Sequence, residues 1–306
     1  MSLSVSIKSW AKGILPESGR KLLRRLYWRT VGSDPEAFFR KTRRESLRLA
    51  PVCDGPPVSI LCCAWNTRPG LLRQTIRSVL AQSYRNWELV VNNCSDAAHP
   101  EVDRLLGRFA AADARIKVHR TDNRGIALNT NAAAERAAGD FILLMDHDDM
   151  LLPDALEKLM AAQQREDADF VYSDEYYLQM QYHVIWHRRK MPFSMRALES
   201  DNFVNHPALI RRALFTRIGG LRAGFEGSQD YDLYLRLFEK TSKVVYIPRA
   251  LYIWRSHPGS FSQSSMRKCM DSGKKALEEH FRRIDVPAVV ECRRNEARFK
   301  VRRLRH

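Results

Sequence analysis

Asp146, His147, Asp148 and Asp149 follow one another directly in the stretch 141–153, FILLMDHDDMLLP. Three carboxylates this close repel one another and resist desolvation unless a cation joins them. Hard divalent ions such as Mg²⁺ and Mn²⁺ take oxygen ligands, commonly one or two carboxylates completed by phosphate oxygens. The chemistry open to this cluster is therefore to hold a metal that carries a diphosphate. Taken alone, the cluster reads equally well as an acidic, solvated loop in which Asp149 or Asp154 caps the next helix. A further carboxylate, Asp230, sits in the run QDYD at 229–232, behind Gly219, Gly220, Gly224 and Gly227. At a helix start it is favourable by the helix dipole alone.

The elements that must position these groups alternate in type. The run 141–145 is short, apolar and bounded by turn signals, which reads as a buried strand. In open α/β sheets, ligands collect where such strands end. Ahead of it the pattern predicts strands at 59–65, 87–91 and 116–119, separated by helices at 71–82, 101–112 and 127–138. After Pro153 it predicts a helix to about Arg165, a strand at 170–173 and an irregular, aromatic- and His-rich stretch at 176–196. Then come a strand at 206–211, a short helix at 213–218, a helix at 229–239, and strands at 244–247 and 251–254. A helix at 266–283 and a hairpin, 288–292 with 299–303, close the chain. Strand and helix alternating over short loops predict a doubly wound α/β fold on a mixed, mostly parallel sheet. The expected organisation is a basic extension and linker (1–55, with a short helix near Phe38 and Phe39), a central body (56–265, in halves meeting at 150), and a C-terminal helix with hairpin (266–306).

Charge separates the ends from the body. The 306 residues hold 51 Lys and Arg against 35 Asp and Glu. Residues 1–49 carry 12 basic and 4 acidic side chains, and 267–306 carry 13 and 6, so the middle is close to neutral. A nucleic-acid reader would spread basicity over its folded face, so nucleic acid is excluded as the expected partner. Basic ends fit attachment to an anionic surface, where each Lys or Arg contributes about 1 kcal/mol, or serve as solubilising tails. Ile7, Trp10, Ile14, Leu15, Leu22, Leu23 and Leu26 recur at helical spacing among basic residues. Such helices lie in a bilayer interface or pack on the protein itself, and both readings stay open. The six cysteines form no CxxC pair, which fits a reducing compartment. No run approaches the roughly 18 apolar residues of a membrane span. The expected location is cytoplasmic, peripheral at the inner face of the cell membrane.

Four separated stretches resemble family 2 glycosyltransferases. PPVSILCCAWNTRPGLLRQTIRSVLAQSYRNWELVV (56–91) is similar to their opening strand, loop, helix and second strand, and NRGIALNTNAAAERAAGDFILLMDHDDMLLPDAL (123–156) to their nucleotide-proximal helix and DxD strand. FVYSDEYYL (170–178) and GFEGSQDYDLYLRLFEK (224–240) resemble an acceptor-side strand and the helix carrying the catalytic carboxylate. LYIWRSHPGSFS (251–262) resembles a common closing loop. The likeness covers 56–285 and points to bacterial enzymes that build O-antigen, capsule and other surface polysaccharides. It implies a GT-A fold, a nucleotide-diphosphate sugar donor, a divalent metal (Mn²⁺ or Mg²⁺), and inversion by direct displacement. It implies Asp230 as the base, and Asp148, Asp146 and His257 as metal ligands, Asp146 also reaching the nucleotide. Trp65, in the position of a base-stacking aromatic, with Cys63, Asn66, Asn93, Arg124, Asn131 and His147, is implied at the nucleotide. Trp254, Arg255, Asp174 and Gln229 are implied at the diphosphate or acceptor. Asn93 stands where relatives commonly carry Asp, and its amide can still accept a hydrogen bond from uracil or thymine.

The expected activity is transfer of a sugar from a UDP- or dTDP-sugar to a hydroxyl of a bacterial surface glycan or lipid-linked oligosaccharide. The alternative is a membrane-docked nucleotide-sugar-binding protein without catalysis.

Overall fold

The computed structural model describes residues 32–258, 265–293 and 298–304. The basic helical pattern of residues 1–30 lies outside them. The first described helix, α1 (Pro35–Ser46), starts at Asp34, whose carboxylate accepts from the Glu36 and Ala37 amides at 3.2 and 3.1 Å.

A parallel half comes next: β1 (Val58–Ala64), α2 (Pro69–Leu80), β2 (Trp87–Asn93), α3 (Pro100–Ala112), β3 (Ile116–Arg120), α4 (Ile126–Ala134) and β4 (Phe141–Asp146). β1 pairs in parallel with both β2 and β4, and β2 with β3. The second half holds β5 (Met150–Leu151), α5 (Ala155–Glu166), β6 (Phe170–Gln179), a 3-10 turn (Met180–Tyr182), β7 (Val184–Arg188), α6 (Met195–Leu198), β8 (Ala208–Arg211), α7 (Arg212–Arg217), α8 (Gln229–Phe238) and β9 (Val244–Ser256). The large sheet runs β3-β2-β1-β4-β8-β6-β9-β5, with β7 also on β6. β8 lies antiparallel between β4 and β6, so the sheet is mixed, as the alternation predicts.

Strands this apolar need cover on both faces. Ile60 and Cys62 of β1 face a core completed by Leu72, Ile76 and Val79 of α2, Leu106 of α3 and Leu159 of α5. Leu61, between them, faces a second core built by α4, α7, α8 and the C-terminal elements. Those elements are α9 (Met266–Arg283) and the hairpin β10 (Ala288–Cys292) with β11 (Phe299–Arg303). Ala276, Leu277 and Phe281 of α9 and Phe299 of β11 join this second core directly. Phe299 packs where α9 has Gly273: a Cβ there would lie 2.6 Å from its ring. Two buried polar groups also bind α9 to α8, since Glu239 accepts from Arg283 and lies 2.6 Å from His280 Nδ1.

Three expectations change. The stretch 176–196 is regular as far as Arg188, because β6 continues to Gln179 and pairs with β7, and only 189–194 is without regular structure. The strands expected at 244–247 and 251–254 are one strand, β9, bulged opposite Ser173–Glu175 so that Pro248 and Arg249 stay out of the pairing. A proline has no N–H to give the ladder, and a bulge absorbs it. The helix expected to reach 138 ends at Ala134, where Arg136 and Ala137 tighten into i to i+3 bonds.

Candidate active site

The acidic loop follows β4 and is held by side chains far away in sequence. On α2, Thr75 Oγ1 donates to the His147 carbonyl at 3.0 Å, and Ser78 Oγ accepts from the Leu151 amide at 3.1 Å. Gln82 donates to the Leu152 carbonyl at 2.8 Å and accepts from the Leu156 amide at 3.0 Å. Positions 75, 78 and 82 share one helical face, so a polar stripe grips the loop's backbone.

From β9, Arg255 enters beneath the loop and is 1% exposed. Its guanidinium donates to the Asp148 carbonyl, to Gln74 Oε1 at 2.6 Å, to Thr75 Oγ1 at 2.9 Å and to the Leu71 carbonyl at 3.1 Å. The Arg255 amide donates to Asp149 Oδ1 at 2.8 Å. Asp149 therefore caps no helix. Burial and the charges of Asp148 and Asp146 push its carboxyl well up, so it serves as a neutral-leaning internal acceptor. Asp154 stands at the N-cap of α5 without capping it, and accepts instead from Arg249 at 2.6 Å.

Asp146 and Asp148 are the loop's outward carboxylates. Asp148 Oδ2 lies 2.7 Å from His257 Nε2. Burial works against Asp148's charge, but the His257 bond and the cations nearby outweigh it and hold the carboxyl below its usual range. Asp146 keeps 42% of its side chain exposed. Burial and the charge of Asp148 nonetheless push its carboxyl up to about 6. Its amide donates to the Tyr252 hydroxyl at 3.2 Å.

Asp230 comes to the same place. It lies in the first turn of α8, its Oδ1 accepting from the Tyr231 amide at 2.8 Å and its Oδ2 from Asn202 at 3.0 Å. Burial, with a smaller push from Asp146, raises its carboxyl above the ordinary value. His206 stands beside Asp146, its Nε2 3.7 Å from Asp146 Oδ2 and its ring 5.6 Å from that of Tyr252, and feels the charge of Asp230. Burial holds the imidazole low against the pull of Asp230. Sequence reasoning missed His206, whose only local signal is a histidine before Pro207 at a strand start. Its backbone is fixed by Lys190, a buried ammonium that donates to the Val204 and His206 carbonyls at 2.5 Å and pairs with Glu175 at 3.2 Å.

The nucleotide-side residues collect at the ends of β1 and β2. Cys63 pairs in register with Asp146 and with Asn92, which sets this corner beside the acidic loop. Cys63 Sγ lies 3.4 Å from Thr130, and burial pushes the thiol up to about 12. Trp65 is 53% exposed at the end of β1. Asn66 and Asp96 bond reciprocally, side chain to side chain at 2.8 Å and side chain to amide at 3.1 Å. Arg124 is exposed at the start of α4, and His147 lies at the loop's rim.

Four residues have other uses than those the resemblance implies. Asn93 is buried, donating to Asp103 at 2.6 Å and accepting from the Ser95 amide at 3.1 Å. Asn131 bonds both backbone groups of Leu221 at 2.8 and 2.9 Å, pinning the glycine loop at Gly220, where a Cβ would lie 2.6 Å from its oxygen. Asp174 is buried against Tyr246, His187 and the Lys190 amide at 2.6–2.8 Å. Arg255 is the internal clamp described above. Gln229 accepts from the Gly227 amide at 2.8 Å and closes that loop onto α8. Trp254 is half-buried on β9, beside Tyr177.

Among the described residues, no three His, Cys, Asp or Glu side chains are grouped to hold a metal by themselves. Asp148 and His257, 2.7 Å apart, and Asp146, two residues before Asp148, are the groups here that could contribute ligands to a metal. They suit a cation whose remaining ligands are diphosphate oxygens and water. Two cavities, of about 590 and 440 Å³, lie away from these groups, one by Arg211 and Arg217 and one between α1 and Pro248. No described helix is long and apolar enough to cross a membrane.

Residues 59–227 match the model of "Glycosyl transferase family 2". The chain is 38% identical over 237 residues to the uncharacterized protein y4gI of Sinorhizobium fredii, covering 75% of this chain and 26% of that protein. It is 33% identical over 235 residues to the O-antigen biosynthesis protein RfbC of Myxococcus xanthus, covering 74% of this chain and 18% of that one. The chain thus spans about a quarter or less of the length of these two relatives. The fold resembles that of S. aureus TarS, solved with UDP-GlcNAc, at a TM-score of 0.58 and 16% identity over 74% of this chain and 66% of that one. From the strand that ends in the acidic loop to the match that spans it, the chain belongs to glycosyltransferase family 2.

Proposed function

We propose that the chain transfers a sugar, with inversion, from a UDP- or dTDP-sugar to a hydroxyl of a bacterial surface glycan or lipid-linked oligosaccharide. What supports this reading is that Asp146 and Asp230, far apart in sequence, lie within electrostatic reach of one another, with His206 3.7 Å from Asp146 and within reach of Asp230's charge. Asp230 takes the proton of the acceptor hydroxyl as that oxygen bonds to the anomeric carbon. The anomeric carbon–oxygen bond to the diphosphate breaks, and its electron pair leaves with the diphosphate. Asp148 and His257, with Asp146, would hold Mn²⁺ or Mg²⁺, which when bound supplies a Lewis acid for the leaving diphosphate. Trp65 offers its exposed ring to the base, and Asn66, Cys63 and Arg124 border the same corner. The S. aureus structure with UDP-GlcNAc supports a nucleotide-sugar donor, and the RfbC likeness supports a surface-glycan acceptor.

The test is binding and turnover together. UDP with Mn²⁺ is expected to raise the Tm of the wild type, by about 2.7 kcal/mol of stabilisation at 100 times Kd. In Asp148→Ala that rise and the slow hydrolysis of a nucleotide-sugar should both disappear. Undiminished turnover in Asp148→Ala would remove the metal role. Binding with no turnover across a broad acceptor panel would favour a binding protein without catalysis.

The basic N-terminal segment is proposed to dock the enzyme on an anionic membrane face. Deleting residues 1–29 is expected to reduce co-sedimentation with vesicles containing anionic lipid and to leave UDP binding intact. Equal sedimentation after the deletion would refute the anchor.

A further inference from the structure

Beyond the reaction cleft, the sheet carries a row of aromatic rings that the mechanism does not use. Trp186, Tyr177 and Trp254 are register partners on β7, β6 and β9. Residues opposite one another on paired strands project from the same face. Tyr252 and Trp254 are two residues apart on β9, as are Glu175 and Tyr177 on β6, so all four share that face. Tyr252 is the residue that accepts from the Asp146 amide and faces His206, and Glu175 pairs with the lysine that fixes His206. The row therefore lies on the sheet face that carries Tyr252, the residue bonded to Asp146. The opposite face, carrying Leu178, Ile185 and Ile253, is covered by Phe38 and Phe39 of α1.

The three rings are half-buried and step rather than lie flat. Tyr177 meets Trp186 at 4.5 Å and 45°, and Trp254 at 4.8 Å and 88°. Arg188, held by Glu175 at 2.7 Å, lies 5.4 Å over the Trp254 ring. A fatty chain would call for a deep aliphatic groove, and a stack of bases for coplanar rings. A saccharide chain presents alternating C–H faces and hydroxyls, with successive rings turned about each glycosidic bond. Stepped aromatic faces bordered by a fixed guanidinium match that pattern.

We infer that Trp186, Tyr177 and Trp254 form the subsite that holds the saccharide chain of the acceptor behind the hydroxyl being glycosylated. This rests on the transferase reading above and specifies its acceptor side. It predicts that the acceptor is an oligosaccharide engaged over more than one sugar ring.

The test uses saturation-transfer NMR on the full chain with Mn²⁺ and UDP, with cellotetraose, chitotetraose and mannotetraose as probes. At least one tetrasaccharide should bind the wild type. Trp186→Ala and Tyr177→Ala should each weaken it by about tenfold or more, whereas Trp186→Phe and Tyr177→Phe stay within about threefold, because the ring face is what binds. UDP affinity should stay within about twofold in all four, since base and metal groups are untouched. Should an alanine variant fail to fold, Trp186→Gln, which keeps bulk without a ring, must show the same loss. Binding of no tetrasaccharide, or equal binding in the ring-less variants, overturns the inference. UDP bound without any saccharide refutes the acceptor row alone. Failure of the wild type to bind UDP refutes the transferase reading itself.

Discussion

Asp230→Asn is expected to lower the kcat for sugar transfer by about 10²–10⁴-fold, the range for loss of a positioned base. UDP binding in the presence of Mn²⁺ should remain, because Asp230 touches Asn202 and the Tyr231 amide rather than the acidic loop. The amide that replaces it can still accept from Asn202. Stability should move the other way. Burial raises the Asp230 carboxyl above its ordinary 3.8, so the folded protein holds that proton more tightly than the unfolded chain. Ionisation then works against the fold once pH passes the unfolded value. At neutral pH the uncharged Asn removes that opposition, and Tm should hold or rise. The same shift fixes the pH profile: transfer falls as pH drops through the raised value, because only the ionised carboxylate accepts a proton. In Asp230→Asn the part of that acid limb owed to Asp230 should vanish from the residual rate, leaving the limb set by Asp146, whose carboxyl is raised to about 6. Transfer retained within about threefold would be far too small a loss for a general base, and Asp230 would then be only a helix-start carboxylate. Measuring kcat, UDP affinity and Tm on one preparation separates these outcomes.

The parts of this site that were legible in the sequence are those whose signal is local. The FILLM run ends in carboxylates, and the structure places β4 and its loop there. The helical period at 266–283 and the alternation at 288–292 and 299–303 give α9 and the hairpin at their observed bounds. Where a bulge or a proline interrupts the period, the reading fails. Pro248 divides β9 into two apparent strands, and the register shift at Ser173–Glu175 hides the rest of β6 among aromatics. Polar partnerships are the least legible. Thr75, Ser78 and Gln82 look like ordinary polar positions of an amphipathic helix until the loop they bind, some 70 residues later, is folded against them. Asn93 and Asp174 sit in motif positions that imply a ligand, yet their partners are protein groups the sequence could not pair with them. His206 is the converse: it has no motif, and its place beside Asp146 follows only from β8 lying beside β4.

Arg255→Ala should be the most destabilising single change at this site. A guanidinium that is 1% exposed gives up five acceptors on α2 and the acidic loop when it is removed. Removing one member of a buried, paired network costs about 3–5 kcal/mol, because the groups left behind stay desolvated. At this chain size that corresponds to a fall in Tm of about 10 °C. Arg255→Lys should recover little, since one compact ammonium cannot span Gln74, Thr75 and the Asp148 carbonyl together. The effect should also reach the nucleotide. Arg255 fixes the backbone on which Asp148 is mounted, so the UDP- and Mn²⁺-dependent rise in Tm should shrink in both variants, although neither removes a metal-side carboxylate. A contact to the diphosphate predicts a different pair of results: UDP affinity lost, with apo Tm unchanged. Apo Tm within about 2 °C of wild type would rule out so large a structural loss and return Arg255 to the ligand side. The clamp reading thus places the stability of the acidic loop and its capacity to hold a cation on one buried side chain, and loss of both together is its signature.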